Sequence, residues 1–209
     1  MRVDRAFAFV DLCGFTAFAE HNGDERAVLV LAELRSLLRE VAARRGVRVV
    51  KWLGDGAMLS STMPDAVAAM VVEADERLAQ ALPSLALRAG MDNGPVIMFE
   101  GDDYIGRPVN VAARLCDAAR AHEVLATELV ATTLPSWIGC EEVPRLHVRG
   151  IEGPLALGRL RVADAGPEPR RDPVCGLTLP ADLMVASDHG EHFCSVACAT
   201  STRRLPVPT

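Results

Sequence analysis

Phe9-Val10-Asp11-Leu12-Cys13-Gly14-Phe15-Thr16 reads as a strand that ends on a carboxylate, a glycine turn and a helix start. An acid at the corner between strand and loop can hold a metal ion, and the helix-opening amides just beyond it can face a phosphate. Many strands end in Asp, so the reading depends on a second acid and on nucleotide-reading residues at compatible places.

Upstream and downstream, the hydrophobic pattern gives a coarse map. Ala6 to Asp11 is mostly apolar, as in a central strand. Val28, Leu31, Leu34, Leu38 and Val41 fall at spacings of three or four, which predicts a helix from a cap at Asp24 to about Arg45, with Gly46 at its end. Strands are predicted at Val47–Trp52 and Ala57–Ser61, joined by the hairpin turn Leu53-Gly54-Asp55-Gly56. A helix from Pro64 runs to about Leu82. Two strands follow, Leu85–Asp92 and Val96–Glu100, with Asn93-Gly94-Pro95 as a turn between them. Pro108 opens a helix to about Ala119, Val124–Thr127 is a short strand, and a short helix lies near Leu129–Leu134. Strands near Glu141–Val148 and Leu155–Val162 close the domain. The fold class expected is α+β: a ferredoxin-like split βαβ antiparallel sheet with helices on one face, plus a small Cys-rich C-terminal module.

Residues 1–162 form one domain in this reading, 163–171 a Pro/Gly/charge-rich linker, and 172–209 a module too short for a core of its own without a metal or a partner. The 209 residues are half apolar, and the net charge of −6 gives no reason to expect nucleic acid. Apolar runs such as Ala27–Ala32 are too short to span a bilayer, and Arg2, Asp4 and Arg5 do not suit a secretory signal, so no membrane partner and a cytoplasmic location are expected. Cys13, Cys116 and Cys140 sit among apolar residues and read as buried thiols. Cys175, Cys194 and Cys198 cluster near the C-terminus, a pattern that in a reducing compartment suits metal better than disulfides. Of 22 basic residues only Lys51 is Lys, which suggests a place where a compact ammonium fits and a planar guanidinium does not.

The chemistry-bearing residues then group. Asp11 at the end of the first strand and Asp55 at a hairpin tip converge if the first strand pairs with that hairpin, and two such acids suit a pair of Mg²⁺ ions on a polyphosphate. Asn110 and Arg114 are four apart and share one helix face, where a ribose oxygen and a phosphate gaining charge could meet them. Lys51 as donor and Asp103 as acceptor match the N1 acceptor and 6-amino donor of adenine, and mismatch guanine at both positions.

Taken together, Phe9–Thr16, Lys51-Trp52-Leu53-Gly54-Asp55 and Asp103–Leu115 strongly resemble the class III nucleotidyl cyclase catalytic domain, over about residues 1 to 162. The resemblance implies an adenylate cyclase that converts ATP to 3′,5′-cyclic AMP and pyrophosphate. Asp11 and Asp55 would bind two Mg²⁺ or Mn²⁺ ions. Lys51 and Asp103 would select adenine, and Asn110 and Arg114 would act on the ribose and the transition state. Arg149, before Gly150, is the candidate for the terminal phosphates, and the turn through Phe15 and Thr16 would seat the triphosphate with its backbone amides. A head-to-tail homodimer is implied, with the metal pair from one copy and the base-reading residues from the other. The catalytic domain is expected to begin at residue 1, with nothing regulatory before it. Two alternatives are a catalytically silent nucleotide-binding regulatory partner and a metal sensor on a cyclase scaffold.

The tail carries a second resemblance. Asp172-Pro173-Val174-Cys175-Gly176-Leu177 and His192-Phe193-Cys194-Ser195-Val196-Ala197-Cys198 are similar to the YHS (TRASH-like) metal-binding module. Cys194 and Cys198 face one way on a helix start, Cys175 is a third ligand, and His192, His189 or solvent supplies a fourth. Zn²⁺ is the first expectation, with Cu⁺ or Fe as alternatives. Glu191 and His192 stand where aromatic residues usually precede Phe193, and Ser201, Thr202, Arg203 and Arg204 replace an aromatic helix. The module is expected to sense metal or thiol redox state and to bias the dimer.

Overall fold

The computed structural model describes residues 1–99, 103–164, 166, 168–187 and 190–201. Strand β1 (Arg2–Cys13) is central and antiparallel to both neighbours, β3 (Gly56–Ser61) and β4 (Ala86–Phe99). With β2 (Arg48–Leu53), β6 (Glu123–Thr127), β7 (Ile138–His147) and β8 (Pro154–Val162) the sheet runs β2-β3-β1-β4-β6-β8-β7. β5 (Asp103–Ile105) folds back on the end of β4. Among the described residues only β4 and β6 pair in parallel, so the expected α+β, mainly antiparallel plan is the observed one.

Period-two alternation divides the sheet into two faces. Ala6, Ala8, Val10 and Leu12 of β1 and Leu87, Ala89 and Met91 of β4 lie under α2 (Asp24–Arg45) and α3 (Pro64–Ala81) in one continuous core. Phe7 and Met58 point to the other face, where α4 (Arg107–Ala118) packs through Val111, Ala112 and Leu115. Helices therefore cover both faces, not one. α4 approaches so closely that a Cβ at Gly90 would collide with the Ala112 carbonyl and the Cys116 amide. A glycine in β4 is what lets this helix lie down.

Three local expectations are corrected. Asn93-Gly94-Pro95 is not a turn: β4 runs straight through it, because Arg5, Asp4 and Val3 of β1 supply a continuous ladder opposite Gly94, Pro95 and Val96. Long-range pairing overrides local turn chemistry here. The helical stretch after Asp11 is two helices, α1 (Phe15–Asn22) and α2, broken at Gly23, and Asp24 lies in the first turn of α2 rather than capping it. Cys140 is exposed, its sulfur lying over Gly158, whereas Cys116 is buried as expected and Cys13 is intermediate.

The C-terminal segment begins earlier than expected. Pro169–Arg171, at the end of the anticipated linker, is strand β9 and pairs with β10 (Thr178–Pro180). The short strands β11 (Val185–Ala186) and β12 (His192–Phe193) and helix α6 (Val196–Ser201) follow, after the four-residue α5 (Glu128–Ala131) of the main domain has closed over β6. Leu177, Leu179 and Phe193 are buried in the same core as Leu38, Val41, Val67 and Met70. A segment too small to bury its own apolar side chains has borrowed the outer surface of α2 and α3. Among the described residues no helix is long and apolar enough to cross a membrane.

Candidate active site

Asp11 lies two residues before the end of β1, opposite Gly56 on one side and Arg88 on the other. Arg88 donates to it twice, from Nε at 2.9 Å and from Nη2 at 2.6 Å, and both bonds land on Oδ2. Oδ1 instead faces Gly56, 3.1 Å from where a Cβ would stand. That glycine keeps one carboxylate oxygen open at the head of the β2–β3 hairpin. Burial raises the Asp55 carboxyl above the ordinary aspartate range, and the charge of Asp11 pushes the same way while Arg88 opposes it. The charge of Asp11 therefore reaches Asp55 at the hairpin tip. Arg35 of α2 donates to the Gly54 carbonyl at 3.4 Å, and Arg35 and Arg39 stack on Trp52 at 5.2 and 5.0 Å. α2 therefore holds the tip that carries Asp55.

Lys51 and Asp103, 52 residues apart in sequence, form an ion pair, each side chain about half exposed. β2 delivers one and the β4–β5 hairpin the other. Asn110 and Arg114 are both exposed on α4, on the face turned away from Val111 and Leu115. Arg114 contacts Asp117 at 3.3 Å. Phe15 is half-buried and Thr16 exposed in the first turn of α1, after Gly14 in a left-handed conformation. Arg149 is exposed in the turn between β7 and β8.

Two residues at the site were not singled out from the sequence. Arg88 interrupts the apolar run Leu85–Met91, and a charge inside such a strand is the signal that it has a partner. It also donates to the Asp117 carbonyl at 3.3 Å, tying the acidic corner to the end of α4. Asp92 is fully buried, accepts from Thr127 at 2.6 Å and faces Arg107 at 3.5 Å. Burial raises its carboxyl above the usual range, with the Thr127 hydrogen bond opposing. Together with Arg107 it anchors the start of α4.

In the C-terminal segment, Cys175, Cys194 and Cys198 converge: Cys194 lies 3.6 Å from Cys175 and 3.5 Å from Cys198, sulfur to sulfur, and all three are buried. These separations exceed a disulfide bond of about 2.05 Å and suit three thiolates set about 2.3 Å from one ion. The fourth member of the cluster is Asp172, not His192. His192 and Phe193 alternate on β12, and because Phe193 enters the core, His192 is turned away from the sulfurs. Asp172 was missed because its oxygens also work locally: Oδ1 accepts from the amides of Val174 and Cys175, and Oδ2 from that of Cys194. His189 lies outside the described residues. Hydrogen bonding among the three sulfurs lowers the Cys198 thiol below the ordinary cysteine range and raises that of Cys175.

Known proteins resemble this chain in sequence and in fold. An uncharacterized protein of Mycobacterium tuberculosis is 32% identical over 147 residues, 70% of this chain and 38% of its own length. The pH-sensitive adenylate cyclase of the same species is 33% identical over 160 residues, 74% of this chain and 40% of its own. The chain thus spans about two fifths of the length of these relatives. The crystal structure of the adenylyl cyclase CyaB from P. aeruginosa superposes with a TM-score of 0.70 at 25% identity, over 78% of this chain and 96% of that one. The catalytic core of a rhodopsin-guanylyl cyclase with converted specificity, solved with ATPalphaS, shares the fold with a TM-score of 0.71 at 18% identity. The model of the adenylate and guanylate cyclase catalytic domain matches residues 4–158, and the chain belongs to that family.

Proposed function

We propose that this domain is an adenylate cyclase, converting ATP to 3′,5′-cyclic AMP and pyrophosphate at the interface of a head-to-tail homodimer. The observation that carries the reading is the Lys51–Asp103 pair. A half-exposed ammonium beside a half-exposed carboxylate offers one donor and one acceptor, the complement of the N1 and 6-amino edge of adenine. Guanine would set a donor against Lys51 and an acceptor against Asp103, leaving both groups unpaired on burial.

The other residues then take roles by position. Asn110 orients the ribose from α4, and Arg114, one turn on, places its guanidinium against the charge that builds on the α-phosphate. The amides of Phe15 and Thr16 at the start of α1 receive the polyphosphate, and Arg149 the terminal phosphates. Asp11 and Asp55 would hold two Mg²⁺ or Mn²⁺ ions. The open Oδ1 of Asp11 supports this fit, since Arg88 occupies Oδ2 alone. When bound, the ions lower the pKa of the ribose 3′-hydroxyl and neutralise the polyphosphate. Arg88 orients Asp11 so that one oxygen stays available. In the dimer, Lys51 and Asp103 of one copy read the base whose phosphates lie on Asp11 and Asp55 of the other. Cys175, Cys194 and Cys198 form a site for a thiophilic ion, Zn²⁺ first, in a segment that regulates the domain.

Purified protein with ATP and Mg²⁺ or Mn²⁺ is expected to release cyclic AMP, and Lys51→Ala or Asp11→Ala to abolish it. Absence of product from the wild-type chain at every protein concentration up to a level that favours dimers would overturn the reading.

A further inference from the structure

The α2–α3 layer carries an unusual charge arrangement where the C-terminal segment docks. Arg44 and Arg45 close α2, where two cations ordinarily serve the helix dipole. Glu73 sits in the middle of α3 among Val67–Ala74 and is fully buried. Arg45 donates to Glu73 through Nε at 2.9 Å, and Arg44 is also ion-paired with Glu73. The Arg45 guanidinium also reaches the C-terminal segment: Nη1 donates to Ser195 Oγ at 2.9 Å, and Nη2, shared with Glu73 at 2.7 Å, donates to Cys194 Sγ at 2.9 Å, with the ring of Trp137 at 5.2 Å. One side chain of the cyclase domain is thereby spent on the thiol cluster and its neighbour.

Charge explains why such a contact would be kept. Arginine stays protonated and only donates, so the sulfur at Nη2 must accept. Arg44, Arg45 and Arg77 against Glu73 and Glu40 leave one positive charge in this ion-pair network. A divalent cation on three thiolates carries one negative charge, and the Asp172 carboxylate has three backbone amides of its own. Resting on the reading of the three cysteines as metal ligands, we propose that Arg45 is the charge partner of a thiophilic divalent ion held by Cys175, Cys194 and Cys198. Through Arg45 the ion clamps the C-terminal segment onto α2 and α3. Arg45 belongs to the cyclase domain, so the undocked segment lacks this partner and binds the ion more weakly. By linkage the ion favours the docked arrangement by the same factor.

The test uses the full chain and Co²⁺ as a spectroscopic stand-in, followed by Zn²⁺ competition. The wild type is expected to bind one equivalent of Co²⁺ with a thiolate-to-metal charge-transfer band. Arg45→Gln should weaken Zn²⁺ binding roughly 10- to 100-fold, the usual cost of losing an outer-shell partner, and Arg45→Lys should recover part of it. Zn²⁺ should slow amide exchange in residues 38–45 of α2 and 67–78 of α3 in the wild type, and much less so in Arg45→Gln. No charge-transfer band in the wild type sinks the metal reading itself. A band with unchanged affinity in Arg45→Gln leaves that reading standing and overturns the role of Arg45. Should Arg45→Gln fail to fold, the wild-type exchange decides alone: equal protection of α2 and α3 with and without Zn²⁺ overturns the clamp.

Discussion

At the scale of single residues, the site is built from side chains whose partners come from distant strands. Asp11 and Asp55 were legible as turn acids, but Arg88, which decides which oxygen of Asp11 is open, was not, because nothing in a linear pattern tells which strand will lie beside β1. Lys51 was legible from composition alone, as the one Lys among 22 basic residues. Its pairing with Asp103 gives a direct expectation. Asp103→Asn keeps the size and an acceptor but adds a donor toward the 6-amino group, so the preference for ATP over GTP should fall on the order of a hundredfold. Competition between the two nucleotides in one assay measures it, and an unchanged ratio would remove Asp103 from base selection.

At the scale of elements, α4 carries Asn110 and Arg114 and is seated by Gly90 below and the Asp92–Arg107 pair at its start. Gly90→Ala should push the helix off the sheet, costing about 1–3 kcal/mol in urea unfolding, as overpacking does. Cyclase activity should fall further than stability, because Arg114 moves with the helix. Equal losses from a distant core substitution of the same cost would argue that α4 placement is not special. The α2–α3 pair supplies a pH expectation. Hydrogen bonds from Arg77, at 2.8 and 3.2 Å, hold the Glu40 carboxyl below the ordinary glutamate range. A depressed carboxyl contributes stability above its unfolded pKa and loses that contribution as pH falls through the folded value. Glu40→Gln should therefore lower stability slightly at neutral pH and converge with the wild type in acid, which flattens the acid limb, the effect being small because Glu40 is half exposed. Thermal unfolding midpoints across pH values below neutrality check the sign. The element-level reading failed at Asn93-Gly94-Pro95 for a related reason: turn residues state what a chain can do alone, while the β1 ladder states what it does beside a neighbour.

At the scale of the whole molecule, one chain holds both Asp11 and Asp55, the acids proposed to bind metal, and Lys51 and Asp103, the pair proposed to read the base, and among the described residues no hydrogen bond or ion pair joins the two groups. If each set completes the other in a second copy, specific activity should fall steeply on dilution, in step with the dimer fraction from sedimentation. Activity proportional to protein at every concentration, with a monomer in the centrifuge, would rule out a shared site. The C-terminal segment enlarges the molecule by sharing the α2–α3 core rather than by trailing from a linker. Its dependence on that core was visible only as a length too short to bury itself.

Period and spacing were enough to place β1, α2, the β2–β3 hairpin, α3 and α4, because each has a face that local periodicity writes into the chain. Asp11, Asp55, Lys51, Asp103, Asn110, Arg114 and the three clustered cysteines were singled out by residue type and position together with the resemblance to known catalytic and metal-binding modules, not by spacing alone. Tertiary structure alone decided which oxygen of Asp11 is open, that Asp172 and not His192 joins the sulfurs, and that Arg45 reaches across to Cys194. Those outcomes depend on which faces meet. Strand register, close glycine contacts and buried charge pairs are settled between segments far apart in sequence, where no local pattern can specify them.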